Sequence, residues 1–288
     1  MNKIQIILVL YGKKLEQSKT FVSFEKNKKN LKAEYNLLIY NNDSSIKIPQ
    51  PFDYKSEIND NKQSIFIYPK NEYQVINSAT NDKLQIPYSF ALKKAVETGC
   101  KWLLLLDDDT ELTAEYFLEL SEKIESACGA IVPRCFYKNK QLSPCIYNPK
   151  IRNYLFFKPT KPCITTKCLS AFNSGAMFSV EILQRIGGFS ESFEMDFLDN
   201  LTFYKLYCSG VEVEILNAKL QHNLSLLNYK TLSVTRYTSI LQAEKKFTAI
   251  LGKKAQLNYS IWLFLRFVKQ LIVPAKRRFA KITLKNIL

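Results

Sequence analysis

The sequence contains a single histidine, His222, and no acidic residue after Glu244. Its seven cysteines (100, 128, 135, 145, 163, 168 and 208) include no Cys-x-x-Cys pair. An odd set without that spacing argues against a zinc cluster or a disulfide scaffold, so reduced thiols are expected. The longest strongly apolar stretch near the C-terminus, YSIWLFLRFVKQLIV (259–273), carries Arg266 and Lys269 and falls short of the ~20 residues that cross a bilayer. The N-terminal run IQIILVLYG is broken by Gln5 and followed by Lys13 and Lys14. That pattern argues against a secretion signal and for a first buried strand. There is no internal repeat and no low-complexity linker.

Negative charge is what the tail lacks most. Between Lys245 and Leu288 there are eleven Lys and Arg and no Asp or Glu. The first 244 residues hold 30 basic against 26 acidic residues, so +4 of the net +15 lies there. A nucleic-acid-binding fold spreads its charge over a recognition surface, and such a role is not expected.

What is present is a core. With 47% hydrophobic and 13% aromatic residues in 288, the chain is long enough for one large domain and an appendage. IQIILVLY (4–11), YNLLIYN (35–41), SIFIY (64–68), WLLLL (102–106), GAIVP (129–133), GAMFSV (175–180) and VEVEIL (211–216) read as strands. YSFALKKAVETG (88–99) and TAEYFLELSEKIESA (113–127) read as helices, the second capped by Thr113. Alternating strands and helices predict an α/β domain with a mostly parallel sheet over 1–240, followed by a basic helical region over 241–288. Residues 134–170, with four prolines and four cysteines, read as a long excursion near the site.

The stretch KWLLLLDDDTEL (101–112) runs from four leucines into three aspartates. On an extended strand end Asp107 and Asp109 share a side, with Cα atoms roughly 6.5 Å apart, and suit a hard divalent cation. Asp108 points the other way and reads as structural. The alternative is a solvated acidic turn before a helix N-terminus. A calcium loop starting at Asp107 fails, because its sixth and twelfth positions are Leu112 and Leu118. A haloacid-dehalogenase motif fits poorly, with Glu111 in its fifth position and the motif in mid-chain.

The neighbouring residues carry a resemblance. NDKLQIPYSFALKKAVETGCKWLLLLDDDTEL resembles the segment of family 2 glycosyltransferases, rhamnosyltransferase-like branch, that leads into a strand ending in Asp-x-Asp. Asn81, Ala95, Gly99, Trp102, Asp107 and Asp109 fall in register. NSGAMFSVEILQRIGGFSESFEMDFLDNLTFYKLYCSG resembles the second block, through Ser174, Gly175, Gly187, Gly188, Phe189, Glu191, Asp196 and Asp199. His222 in NAKLQHNLS stands where this branch has a histidine after a strand. The departures are Asn41 where the second strand usually ends in Asp, Lys83 and Ser89 where Gly and Asn are usual, and Lys205 in place of Arg.

The resemblance implies a GT-A (Rossmann-like) fold and an inverting, metal-dependent transfer from a UDP- or dTDP-linked sugar to a saccharide or lipid-linked saccharide in surface polysaccharide synthesis. It assigns Asp107, Asp109 and His222 to Mn²⁺ or Mg²⁺, and Tyr11, Asn41, Asn81, Asp107 and Asp108 to the nucleotide sugar. Ser174, Gly175 and Asp196 fall to the acceptor and Asp199 to the general base. Asp199 also reads as a helix N-cap, and Asp196 is the rival base. Other readings are a nonenzymatic saccharide-binding protein that kept the fold, or a Mg²⁺-dependent phosphatase. The tail is expected either to lie on an anionic membrane, with KRRFAK (276–281) against headgroups at the cytoplasmic face, or to pack on the domain.

Overall fold

The computed structural model describes residues 3–48, 56–58, 64–68, 73–151, 157–222 and 232–287. Strand β1 (Ile4–Leu10) is buried at all seven positions. A strand apolar on both faces must be covered on both, as in the centre of a helix-flanked sheet. It leads to α1 (Lys19–Asn27), β2 (Tyr35–Asn41), β3 (Ser56–Ile58), β4 (Ser64–Tyr68) and β5 (Tyr73–Asn77). Helix α2 (Gln85–Glu97) then enters β6 (Trp102–Asp107), the short β7 (Thr110–Glu111) and α3 (Ala114–Glu122). Thr113 caps α3, its hydroxyl accepting from the Tyr116 amide.

After β8 (Ala130–Tyr137) come β9 (Lys140–Ser143), β10 (Cys145–Ile146), β11 (Lys158–Pro159), β12 (Cys163–Thr165) and β13 (Leu169–Ser170). Strands β10, β11 and β13 form a separate small sheet, while β9 and β12 extend the main one. Strands this short leave no legible alternation, which is why 134–170 reads as irregular from sequence. The α/β part closes with β14 (Met177–Ser179), α4 (Val180–Arg185), α5 (Leu198–Cys208) and β15 (Val213–His222).

The main sheet has the order β12-β15-β8-β14-β6-β1-β2-β5-β4-β3. Its centre, β6-β1-β2-β5, is parallel. Strand β14 runs antiparallel between β6 and β8, and β8 pairs parallel with β15. The mostly parallel sheet is as the alternation of elements implies.

Strand parity positions the site. Ile4, Ile6, Leu8, Trp102, Leu104 and Leu106 pack on the face covered by Phe24 of α1 and Phe117 of α3. Ile7, Val9, Leu103 and Leu105 pack on the opposite face against Tyr88 and Ala91 of α2 and Leu198 of α5. Successive side chains alternate, so Asp107 emerges on the α2/α5 side and Asp108 on the α1 side.

Helices α6 (Val234–Leu251), α7 (Lys253–Ile272) and α8 (Ala280–Ile287) make up the tail. Tyr237, Leu241, Tyr259, Leu263 and Phe279 form its own apolar cluster. Phe247 of α6 instead joins the main core, stacked on Phe197. Helix α6 therefore belongs to both parts, and the expected boundary at 240/241 falls inside it. Arg266 of α7 binds both oxygens of the buried Glu244 of α6, at 2.8 and 3.0 Å. KRRFAK does not lie wholly in solvent: Phe279 is fully buried. Among the described residues, no helix is long and apolar enough to cross a membrane.

Candidate active site

Asp107 ends β6, and its Oδ1 accepts from the Tyr88 hydroxyl at 2.8 Å. Tyr88 is fully buried, which pushes its pKa well above the usual value; Asp107, Asp199 and Asp109 add to the rise, in that order. Asp107 holds the hydroxyl directly, while Asp109 and Asp199 of α5 act on it as nearby charges. Cys135 of β8 lies under the same group, its thiol pushed up to about 12 by burial and by Asp107 and Asp109. All seven cysteines are free, Cys163 and Cys208 among them exposed.

The aspartate turn is held from behind. Asp108 accepts from the Tyr11 amide at 3.0 Å and pairs with Lys13 at 2.8 Å, so its carboxylate fastens the end of β1. The Thr20 hydroxyl reaches the carbonyls of Asp107 and Thr110 and accepts from the Thr110 amide at 2.9 Å. Ser174, expected at the acceptor, accepts from the Asp107 amide at 3.0 Å and meets the Thr110 hydroxyl at 2.8 Å. Gly175 follows with φ +81°, its carbonyl accepting from Tyr116. A Cβ there would stand 2.9 Å from Leu220 and 3.0 Å from Pro133. This Ser-Gly pair braces the strand end, and its backbone conformation requires glycine.

The second block packs against the first. The Glu194 carbonyl accepts from the amides of Leu84 and Gln85, capping α2 from 110 residues beyond Leu84 in place of a local side chain. Asp196, expected at the acceptor and as the rival base, has both oxygens on the Arg236 guanidinium of α6. Asp199 lies in the first turn of α5, but the N-cap is Phe197, in a left-handed conformation with φ +64°. The N-cap reading of Asp199 is therefore replaced. Its Oδ1 accepts from the amide and side chain of Asn200. Lys205, standing for arginine, donates to the Gly188 carbonyl at 3.1 Å, and burial lowers its pKa.

At the other side of the β-strand ends, Tyr11 exposes its ring. Asn41 is buried, its amide donating to Ile46 and Asn77. Asn81 is exposed and accepts from the Lys83 amide, two residues on. Its neighbour Asp82 is the hub that sequence reasoning missed. Ser78, Thr80 and Tyr40 donate to it, and Asn42 accepts from its amide. Burial alone would raise its pKa, yet the three hydroxyls hold it below the usual value. The signal was present in SATND, where hydroxyl side chains flank an acid.

His222 ends β15, and its backbone pairs with Thr110 while Gln221 pairs with Glu111. The register brings position 222 beside the aspartate turn; its side chain lies outside the described residues. Asp107 and Asp109 act together on Tyr88 and on Cys135, so their carboxylates share one locale. An all-oxygen pair of this kind fits Mg²⁺ or Mn²⁺, which take one or two protein carboxylates and complete their shell with water and substrate phosphates. Among the described residues, no three His, Cys, Asp or Glu gather into a cage.

No protein-family model matches the sequence, and no curated protein matches it. Among solved structures the chain is similar to residues 1–349 of S. aureus TarS, at 12% identity and TM-score 0.51, over 97% of this chain and 90% of that one. It is similar to the mannosyltransferase PcManGT from Pyrobaculum calidifontis, solved with GDP-Man and Mn²⁺, at 12% identity and TM-score 0.51, over 99% and 84%. Together with the helix-flanked, mostly parallel sheet, these similarities establish a GT-A glycosyltransferase fold.

Proposed function

We propose that this chain is an inverting glycosyltransferase of the rhamnosyltransferase-like kind, moving a sugar from a UDP- or dTDP-linked donor to a saccharide or lipid-linked saccharide. The observation that carries the reading is the carboxyl end of the parallel strand β6, where Asp107 accepts from the buried Tyr88 hydroxyl and the charges of Asp109 and Asp199 lie near enough to raise that hydroxyl's pKa. Ligands of open α/β sheets bind beyond such ends. The nucleotide sugar and Mn²⁺ bound to the similar mannosyltransferase support the same assignment. The sequence motifs support surface polysaccharide synthesis as the process served.

Asp107 and Asp109, with His222 beside them, would hold a divalent cation, whose chemistry there would be charge neutralisation and Lewis acidity toward a diphosphate. Tyr88 keeps Asp107 oriented through its 2.8 Å hydrogen bond. The exposed Tyr11 ring and the Asn81–Asp82 loop line the nucleoside end in this reading, while Asn41 is buried at the end of β2 and its amide holds Ile46 and Asn77 instead. Asp199 takes the proton of the acceptor hydroxyl as that oxygen bonds to the anomeric carbon. The sugar–phosphate bond breaks, its electron pair leaves on the diphosphate, and attack from the opposite face inverts the centre. Asp196 is unsuited to this task, because Arg236 occupies both of its oxygens.

Calorimetry of UDP and dTDP, with Mn²⁺ or EDTA, tests the assignment. One nucleotide should bind the wild-type protein only with Mn²⁺, and Asp109→Ala should lose that binding. Equal affinity in all conditions would contradict it.

A further inference from the structure

Helix α7 has two faces. Ala255, Tyr259, Leu263 and Gln270 are buried toward the rest of the tail. On the other side Leu257, Ile261, Phe264, Leu265, Val268 and Ile272 are exposed, Leu257 by 66% and Ile272 by 70%. At 100° per residue these six fall within one stripe, which extends along most of the roughly 30 Å of the helix. Stripes this large on a soluble surface mark an interaction site.

Charge identifies the occupant. Lys253 and Lys254 precede the stripe, Lys269 flanks it, and Arg277 donates to the Leu271 carbonyl at its far end. The basic Arg266 is turned inward onto Glu244. Helix α7 contains no acidic residue, and none follows it. The spacing of Leu257, Ile261, Phe264, Val268 and Leu271 would also suit a second copy of the helix. Two such copies would bring lysine against lysine along the seam, with no carboxylate to relieve them. A surface that is apolar below and anionic above satisfies both the stripe and its cationic margins, the long lysine stems lying along the apolar surface.

We infer that the outer face of α7 docks on an anionic lipid bilayer, the helix lying in the interfacial plane. This goes beyond the transfer reaction and stands apart from it. It also differs from the expectation drawn from sequence: the contact begins at Leu257, and Tyr259 and Phe279 face inward.

The test is flotation of the full-length chain with vesicles of phosphatidylcholine alone and of phosphatidylcholine with phosphatidylglycerol. Wild type should float with the anionic vesicles and be released by salt. The double variant Ile261→Ser, Phe264→Ser should stay folded by circular dichroism and bind at least about tenfold more weakly, since two large apolar side chains leave the contact. Lys253→Gln, Lys254→Gln should reduce binding to the anionic vesicles. Absence of flotation, equal binding by the serine variant, or no preference for anionic vesicles would each overturn the inference. So would light scattering that finds a wild-type dimer and a monomeric serine variant, because a second copy would then cover the stripe.

Discussion

The Tyr88 hydroxyl donates to Asp107 Oδ1 at 2.8 Å, joining the core face of α2 to the carboxyl end of β6. Because burial and three nearby carboxylates raise its pKa well above the usual value, Tyr88 stays protonated at neutral pH and acts as a donor. It therefore fixes the orientation of a carboxylate, as partners behind a metal ligand do.

Tyr88→Phe deletes that donor and little volume. The Mn²⁺ concentration for half-maximal donor turnover should rise by about 10- to 100-fold, the usual effect of losing such a partner. Thermal unfolding should change little by comparison. An unchanged Mn²⁺ dependence would show that the hydrogen bond orients no metal ligand.

Asp199→Asn should bind the donor nucleotide with Mn²⁺ about as well as wild type, while transfer falls by roughly 10² to 10⁴. Helix capping does not confuse this test, because Phe197 and not Asp199 occupies the N-cap. Asp196→Asn should act mainly on stability, by weakening its pairing with Arg236. Near-normal transfer by Asp199→Asn, with a large loss in Asp196→Asn, would exchange the two roles.

Asp82 makes a prediction in pH. Its carboxyl is held below the ordinary value by Ser78, Thr80 and Tyr40 against the effect of burial. A depressed carboxyl adds stability that is present above its unfolded pKa of about 3.9 and is lost as pH falls through the folded value. The stability difference between wild type and Asp82→Asn should be full near neutral pH and shrink below about pH 4. Denaturant unfolding across that range is the check. A difference independent of pH would mean that the hydroxyls do not favour the ionised form.

Much of this was legible in the residues. Strands β2 and β4 match their apolar runs end to end, and in β2 the last five positions are buried, as an apolar run inside a covered sheet requires. The opposed directions of Asp107 and Asp108 followed from strand parity alone, and Tyr88 on one side and Lys13 on the other realise it. What stayed hidden depends on distant contacts. Helix α2 starts at Gln85, not Tyr88, because the carbonyl of Glu194 caps it, and no local pattern encodes that. The pairing of Asp196 with Arg236 spans forty residues and two helices. In the tail the run starting at Tyr259 is apolar on every side, so composition could not tell that Tyr259 faces inward and Leu257 outward.

The central claim is that the aspartate turn serves transfer from a nucleotide sugar, and its most direct test is nucleoside diphosphate release from a panel of nucleotide sugars, with Mn²⁺ and with EDTA. The account predicts turnover of at least one UDP- or dTDP-linked sugar that requires Mn²⁺ and is lost in Asp109→Ala. Hydrolysis of simple sugar phosphates with every nucleotide sugar left intact would contradict it, and would assign the three aspartates to a phosphatase.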